Sequence, residues 1–287
     1  MAWVAHPVGH RSFCIVAKLD GTRHGPARLI SRLKNMSGAE RLSVILLEKD
    51  CAPGLWASVE SGEMDLLVPE LPLLLMEQDP IHKHKDVLAH TIAVVNKTEP
   101  EITVRLGALF HDIAKPQTRS FQHGGVTFRH HEVVGSRMAE KRLVALGYEE
   151  PLVEQVVELV RLSGRFKGYA DGWSDTAVRR YARDAGPLLG KLNHMIRCDC
   201  TTRNKAKAAG VQAAMDDLEQ RIGVLAEQDR KAAERPGIDG AAVMKYLDLS
   251  PGPEVGQALA FLLALKRTEG DLGTEELYGR LDAWWAE

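Results

Sequence analysis

The 287-residue sequence lacks a strong net charge of either sign and lacks any long apolar run. Its formal net charge is −2 and its isoelectric point is near 6.6, which argues against a protein that binds nucleic acid through overall positive charge alone. No apolar stretch approaches the ~18 residues of a membrane span. The N-terminus, with Trp3, His6 and Pro7, lacks the basic start and clean apolar stretch of a signal peptide. The sequence therefore predicts a cytoplasmic protein without membrane contact.

Cysteine is also scarce, and no CxxC pair occurs. Two of the cysteines lie two positions apart, a spacing that points them to different sides of a helix. This pattern favours free, reduced thiols over a zinc site or a disulfide framework. The four residues are Cys14, Cys51, Cys198 and Cys200.

Sustained alternation of polar and apolar residues, which is typical of strands, is nearly absent. Two short exceptions are a strand expected at 13–19 and a loop or hairpin expected at 122–127. Helical patterns begin at the capping-box spacing of Ser37 and Glu40 and recur as far as Trp285. The predicted fold class is all-α or close to it.

Histidine is concentrated in the centre of the chain, where seven of the eleven occur. Imidazole is the commonest metal ligand, although surface loops can also be rich in histidine. The seven are His82, His84, His90, His111, His123, His130 and His131.

The His111–Asp112 pair lies near the end of an apolar helical pattern that we expect Thr98 to cap and Pro116 to stop. Adjacent residues on a helix diverge by ~100°, so both side chains can reach one ion beside the helix. His90 is on the preceding helix, which we expect to turn this histidine inward. A structural histidine bonded to a carbonyl and a chance His–Asp pair remain the alternatives.

Asp199 extends an apolar stripe formed by Leu192 and Met195. A carboxylate on a buried stripe is costly unless it is paired or bound to a cation. Arg197 or Arg203 could be the partner. Together with His90, His111 and Asp112, however, it makes a set of two nitrogens and two carboxylates, which suits Mn, Fe, Co, Ni or Mg better than structural zinc.

In this order of ligands the sequence resembles the HD superfamily of metal-dependent phosphohydrolases. More closely, it is similar to the C-terminal half of bacterial, particularly actinobacterial, CCA-adding tRNA nucleotidyltransferases and poly(A) polymerase-like proteins. The similarity covers roughly residues 37–287. The phrases that carry it are HKD at 84–86, LFHDIAKP at 109–116, FRHHEVVG at 128–135, GWSDTAVRR at 172–180, DAG at 184–186, DCTTRN at 199–204 and PGPEVG at 251–256.

The resemblance implies roles for these residues. The metal ligands would be His90, His111, Asp112 and Asp199, with Asp112 also orienting an attacking water. Lys115 would offset phosphate charge, although a surface lysine at a helix end is the alternative. His131 would protonate a leaving oxygen or bind a second ion. The candidates for substrate binding are Arg129, His130, Arg137 and Arg165.

The chain also departs from its relatives. Where they usually show HLRFHG, this sequence has SGRFKG at 163–168, so that Ser163 and Lys167 replace two histidines. We expect a weakened second-ion site beside His131. Residues 1–36 contain neither the Gly-rich turn nor the Asp-x-Asp pair needed for nucleotide addition, so hydrolysis is the expected chemistry.

The function predicted from the sequence is therefore a phosphohydrolase that uses a divalent ion (Mn, Co, Ni, Fe or Mg), without an organic cofactor. Its substrate would be a nucleoside monophosphate or a nucleotide carrying a 2′-, 3′- or 2′,3′-cyclic phosphate. The alternative is a non-catalytic module that binds tRNA or senses nucleotides. RNA remains a possible partner, and a homo-oligomer is compatible with the sequence. The expected segments are an unassigned stretch at 1–36, a helical neck at 37–80, the HD metal-binding domain at 81–204 and a helical body at 205–287.

Overall fold

A computed structural model describes residues 36–76, 86–122 and 125–286 of the chain. The strand expected at 13–19 lies outside these residues, as do His82, His84 and His123. The chain divides into two compact units, Met1–Gln220 and Arg221–Glu287.

Helices dominate the described residues, which confirms the all-α fold class. The first unit contains α1 Gly38–Leu46, α2 Ala52–Glu60, α3 Glu63–Leu67, α4 Val87–Lys97, α5 Ile102–Phe110, α6 Lys115–Thr118, α7 His131–Leu146, α8 Glu150–Leu162, α9 Asp175–Ala185 and α10 Leu189–Asp199. Helix α11, Lys205–Ala233, contributes to both units, and the second unit adds α12 Gly240–Leu247, α13 Pro253–Glu269 and α14 Thr274–Trp285. Three 3-10 turns span Pro72–Leu74, Arg165–Asp171 and Gly186–Leu188. No helix in the described ranges is both long and apolar enough to cross a bilayer.

A small antiparallel hairpin joins α6 to α7. Its strands are β1 Arg119–Gln122 and β2 Gly125–Phe128, with Arg119 opposite Phe128. The hairpin interpretation of the glycine-containing segment is thus confirmed.

Capping side chains explain where helices α1 and α4 begin. Ser37 and Glu40 form the expected capping box of α1. Asp86 caps α4 by accepting a hydrogen bond from the Ala89 N–H at 2.6 Å.

The expected cap of α5 is wrong. Glu101 accepts hydrogen bonds from the first backbone N–H groups of this helix, at 3.2 and 3.0 Å. Thr98 instead ends α4, where its hydroxyl donates to the carbonyl of Val95. Pro100 disfavours a helical conformation in the residue before it, so the new helix cannot begin as early as Thr98.

Helix α5 also ends earlier than expected, at Phe110 instead of Pro116. Residues 111–114 form a turn, and Pro116 occupies the first turn of α6. His111 and Asp112 therefore follow the helix, where the backbone changes direction.

Helix α5 is the centre of the first unit, because every residue from Thr103 to Phe110 is buried. It packs against α4, α8 and α10. Gly107 permits the close approach: a Cβ there would lie 3.2 Å from both Leu159 Cδ1 and Met195 Sδ. The end of this central helix consequently faces the ends of its neighbours.

The second unit has its own apolar core. Its buried members come from α12, α13, α14 and the segment just before α12. They are Ile238, Val243, Val255, Ala258, Leu262, Leu265, Leu277 and Leu281.

Candidate metal centre

The fold brings His90, His111, Asp112 and Asp199 together from α4, from the turn after α5 and from the end of α10. His90 Nε2 lies 2.9 Å from Asp199 Oδ1 and 3.7 Å from Asp112 Oδ2. His111 Nε2 lies 3.2 Å from Asp112 Oδ2 and 3.6 Å from Asp199 Oδ1. One donor atom each from His90, His111 and Asp199 lies within 4.8 Å of the others. This is the spacing of ligands around one cation.

Two of the imidazoles are oriented by backbone carbonyls. His111 Nδ1 lies 2.6 Å from the carbonyl oxygen of Ala108, and His131 Nδ1 lies 2.7 Å from that of Phe128. A carbonyl only accepts, so Nδ1 donates to it; when the ring is neutral, Nε2 has the lone pair that can bind a cation. His131 Nε2 is 3.5 Å from Asp112 Oδ1. Both Nε2 atoms therefore face Asp112.

His90 is oriented by a side chain instead. Its Nδ1 lies 2.9 Å from the hydroxyl oxygen of Thr201, which follows α10. Lys97 holds the same segment by donating to the carbonyls of Cys198 and Cys200, at 3.1 and 2.7 Å. The sequence interpretation missed Thr201 and Lys97, although Thr201 lies inside the DCTTRN phrase.

His111 Nε2 is buried and has no hydrogen-bond partner in the described structure. A buried polar atom without a partner costs ~1–3 kcal/mol, which coordination of a cation would remove. The residues present therefore fit a divalent ion.

The charges of the cluster are strongly coupled. Burial alone would lower the pKa of His111, but the neighbouring Asp112 carboxylate raises it to about 10. Burial would raise the pKa of Asp112, yet His111, Lys115 and His90 hold it far below its ordinary value. The pKa of Asp199 is likewise held well below its ordinary value by His111 and His90, against the effect of burial. Both carboxylates are thus anionic at neutral pH.

Asp199 is more open to solvent than the apolar stripe predicted. Leu192 and Met195 are buried, but the Asp199 side chain is 41% exposed, because it stands at the last residue of α10. Arg197 is not its partner; that guanidinium binds Asp216 and Glu219 on α11.

Lys115 is buried at the start of α6, so the surface-lysine alternative is wrong. Its Nζ lies 2.7 Å from Asp112 Oδ2 and 5.4 Å from the centre of the Phe128 ring. The ammonium therefore offsets the charge of Asp112.

The four candidates for substrate binding do not join this cluster. Arg129, His130 and Arg137 are exposed, and His130 has a left-handed backbone (φ 61°) just before α7. Arg165 pairs with Asp184. No hydrogen bond or ion pair connects any of the four to the cluster within the part of the chain that the structure describes.

Of the two positions expected to weaken a second-ion site, Lys167 lies near Glu132, the neighbour of His131. Lys167 Nζ is 3.7 Å from Glu132 Oε1. The other carboxylate oxygen of Glu132, Oε2, is 3.5 Å from His131 Nδ1. The Ser163 hydroxyl instead donates to the carbonyl of Val160. An ammonium therefore faces the acidic group beside His131, which is unfavourable for another cation.

Comparison with known proteins agrees with this geometry. The HD domain family profile matches residues 87–222. The chain is 33% identical over 248 residues to the CC-adding tRNA nucleotidyltransferase of Thermus thermophilus, covering 83% of this chain and 54% of that protein. It is 29% identical over 258 residues to the A-adding tRNA nucleotidyltransferase of Deinococcus radiodurans, covering 86% and 58%.

The chain spans little more than half the length of these two relatives. The matched family region contains His90, His111, Asp112 and Asp199, and it ends within α11. Residues 87–222 therefore match the HD domain family, and the chain resembles part of the tRNA nucleotidyltransferases over most of its own length.

Proposed function

We propose that this protein is a divalent-metal-dependent phosphohydrolase that acts on a nucleotide. It would either release phosphate from a monoester or open a cyclic phosphate. The observation that carries the proposal is the convergence of two Nε2 atoms and two ionised carboxylates, with the buried His111 Nε2 lacking a partner. An ion held by His90, His111, Asp112 and Asp199 would polarise the phosphoryl group and acidify a bound water.

The residues around this set have complementary roles. Asp112 can orient an attacking water through the oxygen that also faces His131. Lys115 holds the other oxygen and supplies positive charge. Burial lowers the pKa of His131, so this imidazole is mainly neutral at pH 7. The neutral form favours accepting a proton over protonating a leaving group.

We propose a small nucleotide as the substrate: a nucleoside monophosphate, or a nucleotide with a 2′-, 3′- or 2′,3′-cyclic phosphate. The test is phosphate release from this panel with Mn, Co, Ni and Mg in turn, with ring opening followed by chromatography. Turnover that needs an added metal and is abolished by chelation supports the proposal. A folded protein that binds metal but turns over no member of the panel contradicts it.

A second candidate function is RNA binding without turnover. This candidate is favoured by the names of both relatives, which describe enzymes that act on tRNA. A gel shift with tRNA that weakens steeply as salt increases, without hydrolysis of any nucleotide, would support this candidate.

Metal affinity is expected to rise with pH. The raised pKa of His111, about 10, means that both of its ring nitrogens carry a proton at neutral pH, and the Nε2 proton must leave before this atom can coordinate a cation. Displacing one proton predicts ~tenfold tighter binding per pH unit between roughly pH 6.5 and 8.5. Calorimetry in buffers of different ionisation enthalpy measures both affinity and proton release. Binding that is independent of pH and releases no proton would show that His111 is not a ligand.

Thr201→Val is expected to weaken metal binding by ~10–100-fold while the protein stays folded. Valine preserves the shape of threonine but cannot hydrogen-bond to His90 Nδ1, so the imidazole loses its orientation. Thr202→Val is the matched control, because the Thr202 hydroxyl accepts from the Asn204 N–H and does not contact His90. Equal metal affinity in the two variants would contradict a role for Thr201 in positioning His90.

A further inference from the structure

A groove with a volume of about 500 Å³ lies next to His90: Ala89, the residue before it, and Thr201, whose hydroxyl bonds to its Nδ1, both line the groove. Its walls are α2, α4 and the segment that follows α10. The lining residues that bear on ligand binding are Trp56, Ala89, Ala93, Asn96, Thr201 and Thr202. The volume is in the range of small-molecule sites.

The residues that line the groove suit a flat ring. Trp56 provides a half-buried aromatic surface, and the alanines Ala52, Ala89 and Ala93 leave the space beside it open. Aromatic side chains stack on nucleobases with little dependence on sequence, because every base has a π face.

The polar lining presents donors. Asn96 Oδ1 accepts from the Ala52 N–H at 3.1 Å, which fixes the orientation of the amide. Asn96 Nδ2 donates to no other residue in the described structure, so it can donate to a ligand. The Lys97 ammonium binds two backbone carbonyls, and no carboxylate lines the groove. A flat ligand with carbonyl or ring-nitrogen acceptors matches this lining.

The groove and the metal centre share the contacts of Thr201. Thr201 lines it and is also the residue whose hydroxyl lies 2.9 Å from His90 Nδ1. Ala89 precedes His90 on α4. A ligand in the groove consequently touches the residues that orient this imidazole.

We propose that this groove binds the base of the nucleotide substrate, with the ring against Trp56 and an acceptor of the base facing Asn96 Nδ2. The inference rests on the proposed hydrolase function and gives it a base-binding subsite.

The test is binding of the four common ribonucleosides, which carry no phosphate, measured by calorimetry and by tryptophan fluorescence. Trp56→Ala is expected to weaken binding by ~10-fold or more, and Trp56→Phe by less, because it keeps an aromatic face. Asn96→Asp is also expected to weaken binding: it retains an acceptor for the Ala52 N–H but replaces the amide donor. Leu66→Ala, at a side chain 71% exposed, is the control that should bind as the unchanged protein does.

The outcomes separate this inference from the hydrolase proposal. If the panel is hydrolysed but Trp56→Phe and Trp56→Ala leave both nucleoside affinity and KM unchanged, the groove is not the base subsite. If nucleosides bind and the Trp56 variants weaken them while no nucleotide is hydrolysed, the base site stands and the hydrolase proposal fails. Failure of the folded protein to bind any nucleoside overturns the inference.

Discussion

Asp112→Asn is expected to lower metal-dependent turnover by at least ~10³-fold, which corresponds to about 4 kcal/mol of transition-state stabilisation. Asp112 is the centre of the cluster: one oxygen faces His111 and Lys115, and the other faces His131. Asparagine has nearly the same shape but no charge. Asparagine therefore cannot balance the positive charges of His111 and Lys115, and its amide oxygen is a weaker metal ligand.

The measurement is kcat and KM on the best substrate of the nucleotide panel, together with metal affinity and a thermal melt. Asp271→Asn makes the same chemical change at a carboxylate that is 81% exposed in the second unit, and it should leave activity unchanged. Near-normal kcat in a folded Asp112→Asn protein would mean that the cluster does not perform the chemistry.

Arg105→Met is expected to destabilise the first unit by about 3–5 kcal/mol, because several buried acceptors lose their donor together. Arg105 lies on α5 and is completely buried. Its guanidinium donates to the carbonyls of Leu46, the last residue of α1, and of Glu48. It also donates, at 3.1 Å, to the carbonyl of Thr98. The side chain thus holds the end of α1 and the α4–α5 turn against the central helix.

Thermal and urea unfolding, followed by circular dichroism, would measure this loss. Arg105→Lys keeps the charge but lacks the planar fork, so an intermediate loss is expected. Arg280→Met, at a side chain 46% exposed, should change the free energy of unfolding by ~0.5 kcal/mol or less. Equal stability of the Arg105→Met and Arg280→Met proteins would refute the role given to Arg105.

Features that depend on neighbouring residues were the most predictable. The capping box at Ser37 and the hairpin at the paired glycines were both confirmed. The Thr98 cap failed because Glu101 competes for the same backbone donors and Pro100 restrains the turn. Capping rules pointed to both Thr98 and Glu101. Because the two caps have similar local energies, the sequence did not decide between them.

The exposure of the site residues was less predictable. Lys115 was compatible with a surface position in the sequence, yet it is buried against Asp112. Asp199 followed a buried stripe, yet it is 41% exposed. A helical period gives the direction of a side chain, whereas exposure at a helix end depends on which other elements cover that end.

The sequence by itself determined the helical class of this protein and the candidate set of His90, His111, Asp112 and Asp199, because helical periodicity and ligand chemistry depend on residue types and their order along the chain. Only the tertiary structure decided how these residues are held. The Thr201 contact to His90 spans 111 positions and the Arg105 contact to the Leu46 carbonyl spans 59. Such contacts depend on how the helices pack against one another, and no local pattern in the chain encodes that packing.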